Sequence, residues 1–162
     1  MAESPPSLRF LLAHPAHLLA CGFGSGLSPK APGTFGTLFA WMSFPLLRPW
    51  LSDLELLAGL LLGFIGGAIA AHKTGVDLGV IDHGSIVWDE IVSFWLVLLF
   101  CPPHWGWQAA GFVLFRFFDI RKPQPARYFD EQMKNGLGVM CDDLVAAGYT
   151  LLVLALVRSV SE

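Results

Sequence analysis

Charge is what this 162-residue chain has least of: Asp, Glu, Lys and Arg together make up 14% of it, roughly half the share usual in a soluble domain. Ten basic residues against thirteen acidic ones give a formal net charge of -3, so there is no long-range positive field and nucleic acid is excluded as a main partner. Cysteine is nearly as scarce. Cys21, Cys101 and Cys141 are an odd set without paired spacing, which excludes a disulfide framework and a cysteine-rich zinc site and leaves them as apolar fillers. No Cys-x5-Arg loop, no Asp-x-Asp nucleophile motif and no Gly-Lys-Ser/Thr ending of a Walker A loop occurs anywhere. Met1 to Phe10 carries Pro5 and Pro6 and lacks a basic start followed by a long apolar run. It does not read as a secretory signal, and residues 1–16 are expected to be a loosely ordered cytosolic tail.

Apolar residues fill the space that charge leaves. They make up 54% of the chain, and the mean hydropathy is +0.59, too apolar for an ordinary soluble domain of this length. Four apolar stretches stand out, Leu38 to Trp50, Leu54 to Ala71, Ile91 to Phe100 and Leu144 to Val157, with a shorter aromatic-rich one at Trp107 to Phe118. The last should end where Lys122 meets Pro123, because a residue before proline disfavours the α region. Several fall short of the roughly 20 residues of a straight crossing. The expected fold is all-α: one domain over 17–162, a compact membrane-embedded bundle of about four to five apolar helices with catalytic loops on its cytoplasmic face.

If successive stretches cross once each, the turns at 51–53 and 102–106 lie on one side. The polar stretches 22–37, 73–85 and 121–143 then share the other. Arg9, Lys30, Lys73, Arg121, Lys122, Arg127 and Lys134 accompany the polar stretches, while Arg48 and Arg158 face away. The positive-inside rule makes the polar side cytoplasmic.

The chemistry is gathered in those polar stretches. Gly22 to Leu38, GFGSGLSPKAPGTFGTL, holds five glycines and two prolines; it can expose backbone N–H groups near a helix start, where Lys30 and Thr34 could meet an anion, or it can be a flexible turn at the membrane edge. DHGSIVWDE, from Asp82 to Glu90, sets Asp82, Asp89 and Glu90 before or within an apolar run. Carboxylates at such costly positions are expected to be paired or to hold a cation, and hard oxygen ligands suit Mg²⁺ better than zinc. In the third stretch Arg116 and Asp119 share a helix face, Lys122 stands at the turn, and Asp142 with Asp143 precede the last apolar run. Two adjacent aspartates exceed what a helix cap requires.

The motifs GFGSGLSPKAPGT, DHGSIVWDE, and FRFFDIRKPQP with GLGVMCDD resemble the phosphatidylglycerophosphatase A family, from about His17 to about Val157. The resemblance implies an Mg²⁺-dependent enzyme of the bacterial inner membrane, multi-pass, with a cytoplasmic active site. It would convert phosphatidylglycerophosphate in the bilayer to phosphatidylglycerol and phosphate, among membrane lipids and with room for a homo-oligomer. Position by position it favours Lys30, Pro32, Gly33, Thr34, Asp82, Asp89, Glu90, Arg116, Asp119, Lys122, Pro123, Gly136, Gly138, Asp142 and Asp143. Ser93 and Asn135 depart from it, each standing where the family usually has glycine.

The expected roles are catalysis by Asp89, Glu90, Asp142 and Asp143, metal binding by these four and Asp82, and substrate binding by Lys30, Thr34, Arg116 and Lys122. Rival readings are another lipid-phosphate phosphatase, a metal-dependent phosphatidyltransferase and a small transporter. A phosphatidyltransferase would repeat aspartates along one helix, and a transporter would want charges near the midplane; 56–71 and 144–157 contain no charged residue. Reporter fusions at Lys73 and Lys134 are expected on the same, cytoplasmic side; fusions reporting opposite sides would refute the parity argument.

Overall fold

The computed structural model describes residues 4–161. Every regular element among them is helical: α1 (Leu8–Ala13), α2 (Pro15–Ala20), a tight 3-10 turn (Gly22–Leu27), α3 (Pro32–Leu47), α4 (Asp53–Leu78), α5 (Trp88–Phe100), α6 (Trp105–Arg121), α7 (Ala126–Gln132) and α8 (Gly136–Ser161). Part of the expected tail falls on residues 1–3, outside the described residues. Leu8 to Ala13 within it forms α1, capped by the Ser7 hydroxyl, which accepts from the Phe10 N–H.

α5 is the axis of the bundle. Beyond Asp89 and Glu90 in its first turn, and apart from Ser93, α5 carries apolar side chains all round, the pattern of a buried helix, and Ile91, Phe94 and Val97 are fully buried. α3, α4 and α8 wrap it, and α6 and α7 close the bundle against α8. An aromatic core joins the layers: Phe94 of α5 meets Trp41 of α3 edge-on at 6.5 Å, Phe112 of α6 edge-on at 5.7 Å and Phe115 at 5.6 Å. Three indole N–H groups in this apolar interior find acceptors: Trp41 donates to Gln108 Oε1, Trp88 to the Gly63 carbonyl and Trp95 to the Ala40 carbonyl.

The helices run past their apolar stretches. α3 starts at Pro32, not Leu38; α4 continues to Leu78; α8 begins at Gly136, eight residues before its uninterrupted apolar run. The polar motifs therefore lie on helix ends more than in loops, and the expectation of catalytic loops is corrected. The reason is that a helix satisfies its own backbone N–H and C=O groups whatever its side chains, so hydropathy marks the stretch that is apolar and not the length that is helical.

Among the described residues, α4 and α8 are the two helices long and apolar enough to cross a membrane. Only 28% of the apolar window of α4 is buried, and Leu54, Leu61, Leu62, Ile65 and Ile69 point outward. The two helices touch backbone to backbone at Gly136, where a Cβ would lie 1.8 Å from the Ala68 carbonyl oxygen. Gly136→Ala is expected to cost about 1–3 kcal/mol through forced separation of the helices, read as a lowered thermal unfolding midpoint in detergent. Gly59→Ala, with nothing within 4 Å of the new methyl, should be neutral or slightly stabilising.

Candidate active site

Three polar stretches meet at one end of the bundle because α3, α5 and α8 start there and α4 and α6 end there. Gly79, in the left-handed conformation at φ 77°, stops α4. The 80–87 segment then folds back, with the Val87 N–H donating to the Ala20 carbonyl and the Ser85 N–H to His83 Nδ1. This delivers Trp88, Asp89 and Glu90 as the first turn of α5, where the free N–H groups of the helix start favour negative charge.

Asp89, Glu90 and Asp143 converge. One carboxylate oxygen from each lies within 4.8 Å of the others, and all three residues are buried, Asp143 to 2% exposure. Asp89 Oδ1, Glu90 Oε2 and Asp143 Oδ2 have no hydrogen-bond partner among the described residues. Buried polar atoms in folded proteins are nearly always paired, and three converging carboxylates, each with a naked oxygen, are a donor set for a hard cation. The residues present fit Mg²⁺. The neighbouring Ser93 hydroxyl is also buried and unpartnered.

Arg116 is the cation at the edge of this group. Its guanidinium stands 3.5 Å from Glu90 Oε1 and forms a close ion pair with Asp119 one turn on along α6. Gly33, at the start of α3, leaves the room for both: a Cβ there would lie 2.0 Å from Glu90 Oε1 and 2.9 Å from the guanidinium. The glycine in the first motif thus serves close approach, since any side chain would displace the carboxylate.

Lys122 centres a second group. It follows α6 with a left-handed backbone, φ 43° and ψ 63°, a conformation that a non-glycine residue holds only when its surroundings impose it. Its ammonium donates to Asp142 Oδ2 at 2.6 Å and Asp130 Oδ1 at 2.7 Å, with Asp82 at 4.0 Å. Burial works against the charge of Lys122, but Asp142 and Asp130 outweigh it and hold its pKa above the usual lysine value. Partial burial likewise opposes ionisation of Asp130, and the hydrogen bond from Lys122 overcomes this to lower its pKa.

The five carboxylates expected at one metal site are therefore divided. Asp89, Glu90 and Asp143 form the unpartnered group, whereas Asp82 and Asp142 lie around Lys122. Asp142 has both oxygens engaged, Oδ2 by Lys122 and Oδ1 by the Asp143 N–H at 2.9 Å. Of the expected substrate-binding residues, Arg116 and Lys122 are placed at the carboxylates. Thr34 is half-buried in the first turn of α3 beside Gly33, and Lys30 is exposed, with no ion pair to its ammonium among the described residues.

The glycine-rich segment before Lys30 is packed instead of open. A Cβ on Gly26 would lie 2.1 Å from the Ser85 carbonyl oxygen, and Phe23 packs edge-on against Trp88 at 6.0 Å. Asp130 was not foreseen; its one signal was the pair of prolines at 123 and 125, which turn the chain so that α7 returns beside the end of α6.

Residues 18–158 match the family described as Phosphatidylglycerophosphatase A. The chain belongs to the phosphatidylglycerophosphatase A family. It is 48% identical over 155 residues to the Phosphatidylglycerophosphatase A of Haemophilus influenzae, covering 95% of each chain. It is 48% identical over 143 residues to that of Escherichia coli, covering 85% of this chain and 80% of the relative. A Bacteroides thetaiotaomicron protein named Putative phosphatidylinositol-3-phosphatase is 41% identical over 148 residues, covering 87% of this chain and 92% of its own. No solved structure matches the chain.

Like charges held this close destabilise the metal-free fold. Asp143→Asn is therefore expected to raise stability by about 1 kcal/mol in chelator-treated protein, measured by thermal unfolding in detergent. A lowered midpoint would mean that the carboxylate makes a structural bond that the geometry does not contain.

Proposed function

We propose that the chain is a membrane-bound phosphatidylglycerophosphatase that hydrolyses the phosphate monoester of phosphatidylglycerophosphate to phosphatidylglycerol and phosphate. Membership of the family and the names of its two 48% identical relatives support the reaction and the substrate. The observation that carries the chemistry is the group of three buried, unpartnered carboxylates at Asp89, Glu90 and Asp143. Membrane insertion is supported by the outward apolar faces of α4 and α8, which water would not tolerate over such an area. With those helices in the bilayer, the lipid tails stay there while the phosphate reaches the polar end.

Asp89, Glu90 and Asp143 would hold Mg²⁺, and the bound ion would supply neutralisation of the phosphate oxygens as negative charge redistributes in an in-line displacement. Arg116 is the protein's own positive group beside the carboxylates, and it is oriented by Asp119 and Glu90. It is suited to bind a phosphate oxygen with the guanidinium edge not used by those two partners. Asp89, in the first turn of α5, is the preferred base: with its unpartnered Oδ1 given to the ion, its second carboxylate oxygen would accept the hydrogen bond that orients the attacking water. Asp142, with both oxygens occupied, is less suited to that role. Lys30, exposed three residues before Gly33, supplies a mobile positive charge for the approaching headgroup.

The 41% identical relative named for a phosphatidylinositol 3-phosphate activity makes the headgroup the part of the substrate to test. Purified protein in mixed micelles is expected to release phosphate from phosphatidylglycerophosphate with Mg²⁺ and not with chelator. Asp89→Asn should lower kcat by about 10³-fold or more. Faster release from phosphatidylinositol 3-phosphate would transfer the assignment to that lipid, and metal-independent release would refute the role given to the three carboxylates.

A further inference from the structure

Lys122 has an unusual set of neighbours for a residue expected to bind phosphate. Two of its three ammonium donors are already used, on Asp130 and Asp142, and a third carboxylate, Asp82, stands 4.0 Å away. Three carboxylates surround Lys122, and even with the Lys134 ammonium at the Asp130 carbonyl the group has no surplus positive charge to attract a phosphate. The hydrogen bonds run in a line: Asp130 Oδ1 accepts from Lys122 Nζ, Lys122 Nζ donates to Asp142 Oδ2, and Asp142 Oδ1 accepts from the backbone N–H of Asp143. That line ends on Asp143, whose carboxylate converges with those of Asp89 and Glu90 and whose Oδ2 has no partner.

We propose that Asp130 is a positioning residue for the reaction, acting through Lys122 and Asp142 to hold Asp143 in register with Asp89 and Glu90. The inference rests on the phosphatase reading of the site. Three features of the fold support it. Lys122 has a left-handed backbone that no glycine relieves, and a conformation of this kind persists where side-chain bonds over-determine it. α7, only seven residues long, packs against α8 and presents Asp130 to the end of α6. The α7 end is secured in turn by Lys134, which donates to the Asp130 backbone carbonyl at 2.6 Å.

Asp130 is a quarter exposed and Asp142 nearly closed off, so the chain of bonds runs from the solvent edge into the site. Arg116 is arranged in the same way, between the site carboxylate Glu90 and the outer carboxylate Asp119. Arg116 and Lys122 are each held by one inner and one outer acid. The outer acid fixes where the cation stands, and the cation fixes where the inner acid points.

The test compares full-length wild type, Asp130→Asn and Asp130→Glu in phosphatidylglycerol micelles, with one readout that needs no substrate. Acetylation of Lys122 by acetic anhydride, followed by mass spectrometry, is expected to be about fivefold or more faster in Asp130→Asn, because an ammonium freed of one of its two bonded acids is less protected. With phosphatidylglycerophosphate, Asp130→Asn is expected to lower kcat about tenfold while KM moves less than about threefold, and Asp130→Glu to recover most of the loss. An unchanged acetylation rate overturns the inference. So does an active wild type whose kcat is insensitive to Asp130→Asn, or a glutamate variant no better than the asparagine one. A wild type that releases no phosphate overturns the functional reading instead, which is a different result.

Discussion

Asp89, Glu90 and Asp143 bring three carboxylates within 4.8 Å of one another in a place almost closed to water, and the rest of the polar end is arranged around that repulsion. Burying one unpaired carboxylate is costly, and burying three together more so. Two features of the chain offset it. Asp89 and Glu90 occupy the first turn of α5, where the helix start favours negative charge. Arg116 lies at the edge, near Glu90, and is itself held by Asp119. What remains uncompensated is the set of naked oxygens at the centre, a deficit of positive charge that a divalent cation can make good.

The neighbouring group shows how the same residue type takes a different part through its partners alone. Asp142 and Asp143 are adjacent in sequence and both buried, yet the first has both oxygens engaged and the second has one free. Consecutive helix positions point about 100° apart, so one aspartate faces Lys122 and the other faces α5. Lys122 can reach Asp142 because its left-handed backbone turns the chain at the end of α6, and the two prolines that follow return α7 alongside.

The stability of the bundle is drawn from elsewhere. α5 is enclosed by apolar partners on every side, and the aromatic contacts of Trp41, Phe94, Phe112 and Phe115 tie α3, α5 and α6 together below the polar end. Close backbone approach at Gly136 sets α8 against α4, and at Gly33 it sets α3 against the site. A core of this kind can carry a self-repelling group of acids at one end, because the apolar contacts that hold the helices do not depend on the acids being satisfied.

Much of this was legible in the residues. Low charge, long apolar stretches and basic residues grouped with the polar motifs determined an all-helical chain with its chemistry at one end, since hydropathy and charge placement act at every position independently of the fold. The acids and cations of the site were also visible, with Asp130 the exception, because it lies in an exposed-looking helical stretch with no motif of its own. Only the tertiary structure decided the pairing. Which carboxylates stay unpartnered and which are bound by Lys122 depends on the rotation of α8 against α5 and α6 and on the return of α7. Those are set by contacts between residues 20 or more positions apart, as with Asp142 against Lys122 and Arg116 against Glu90. Spacing along the chain carries no record of such rotations, whereas a one-residue step of about 100° around the helix is enough to move a carboxylate from one group to the other.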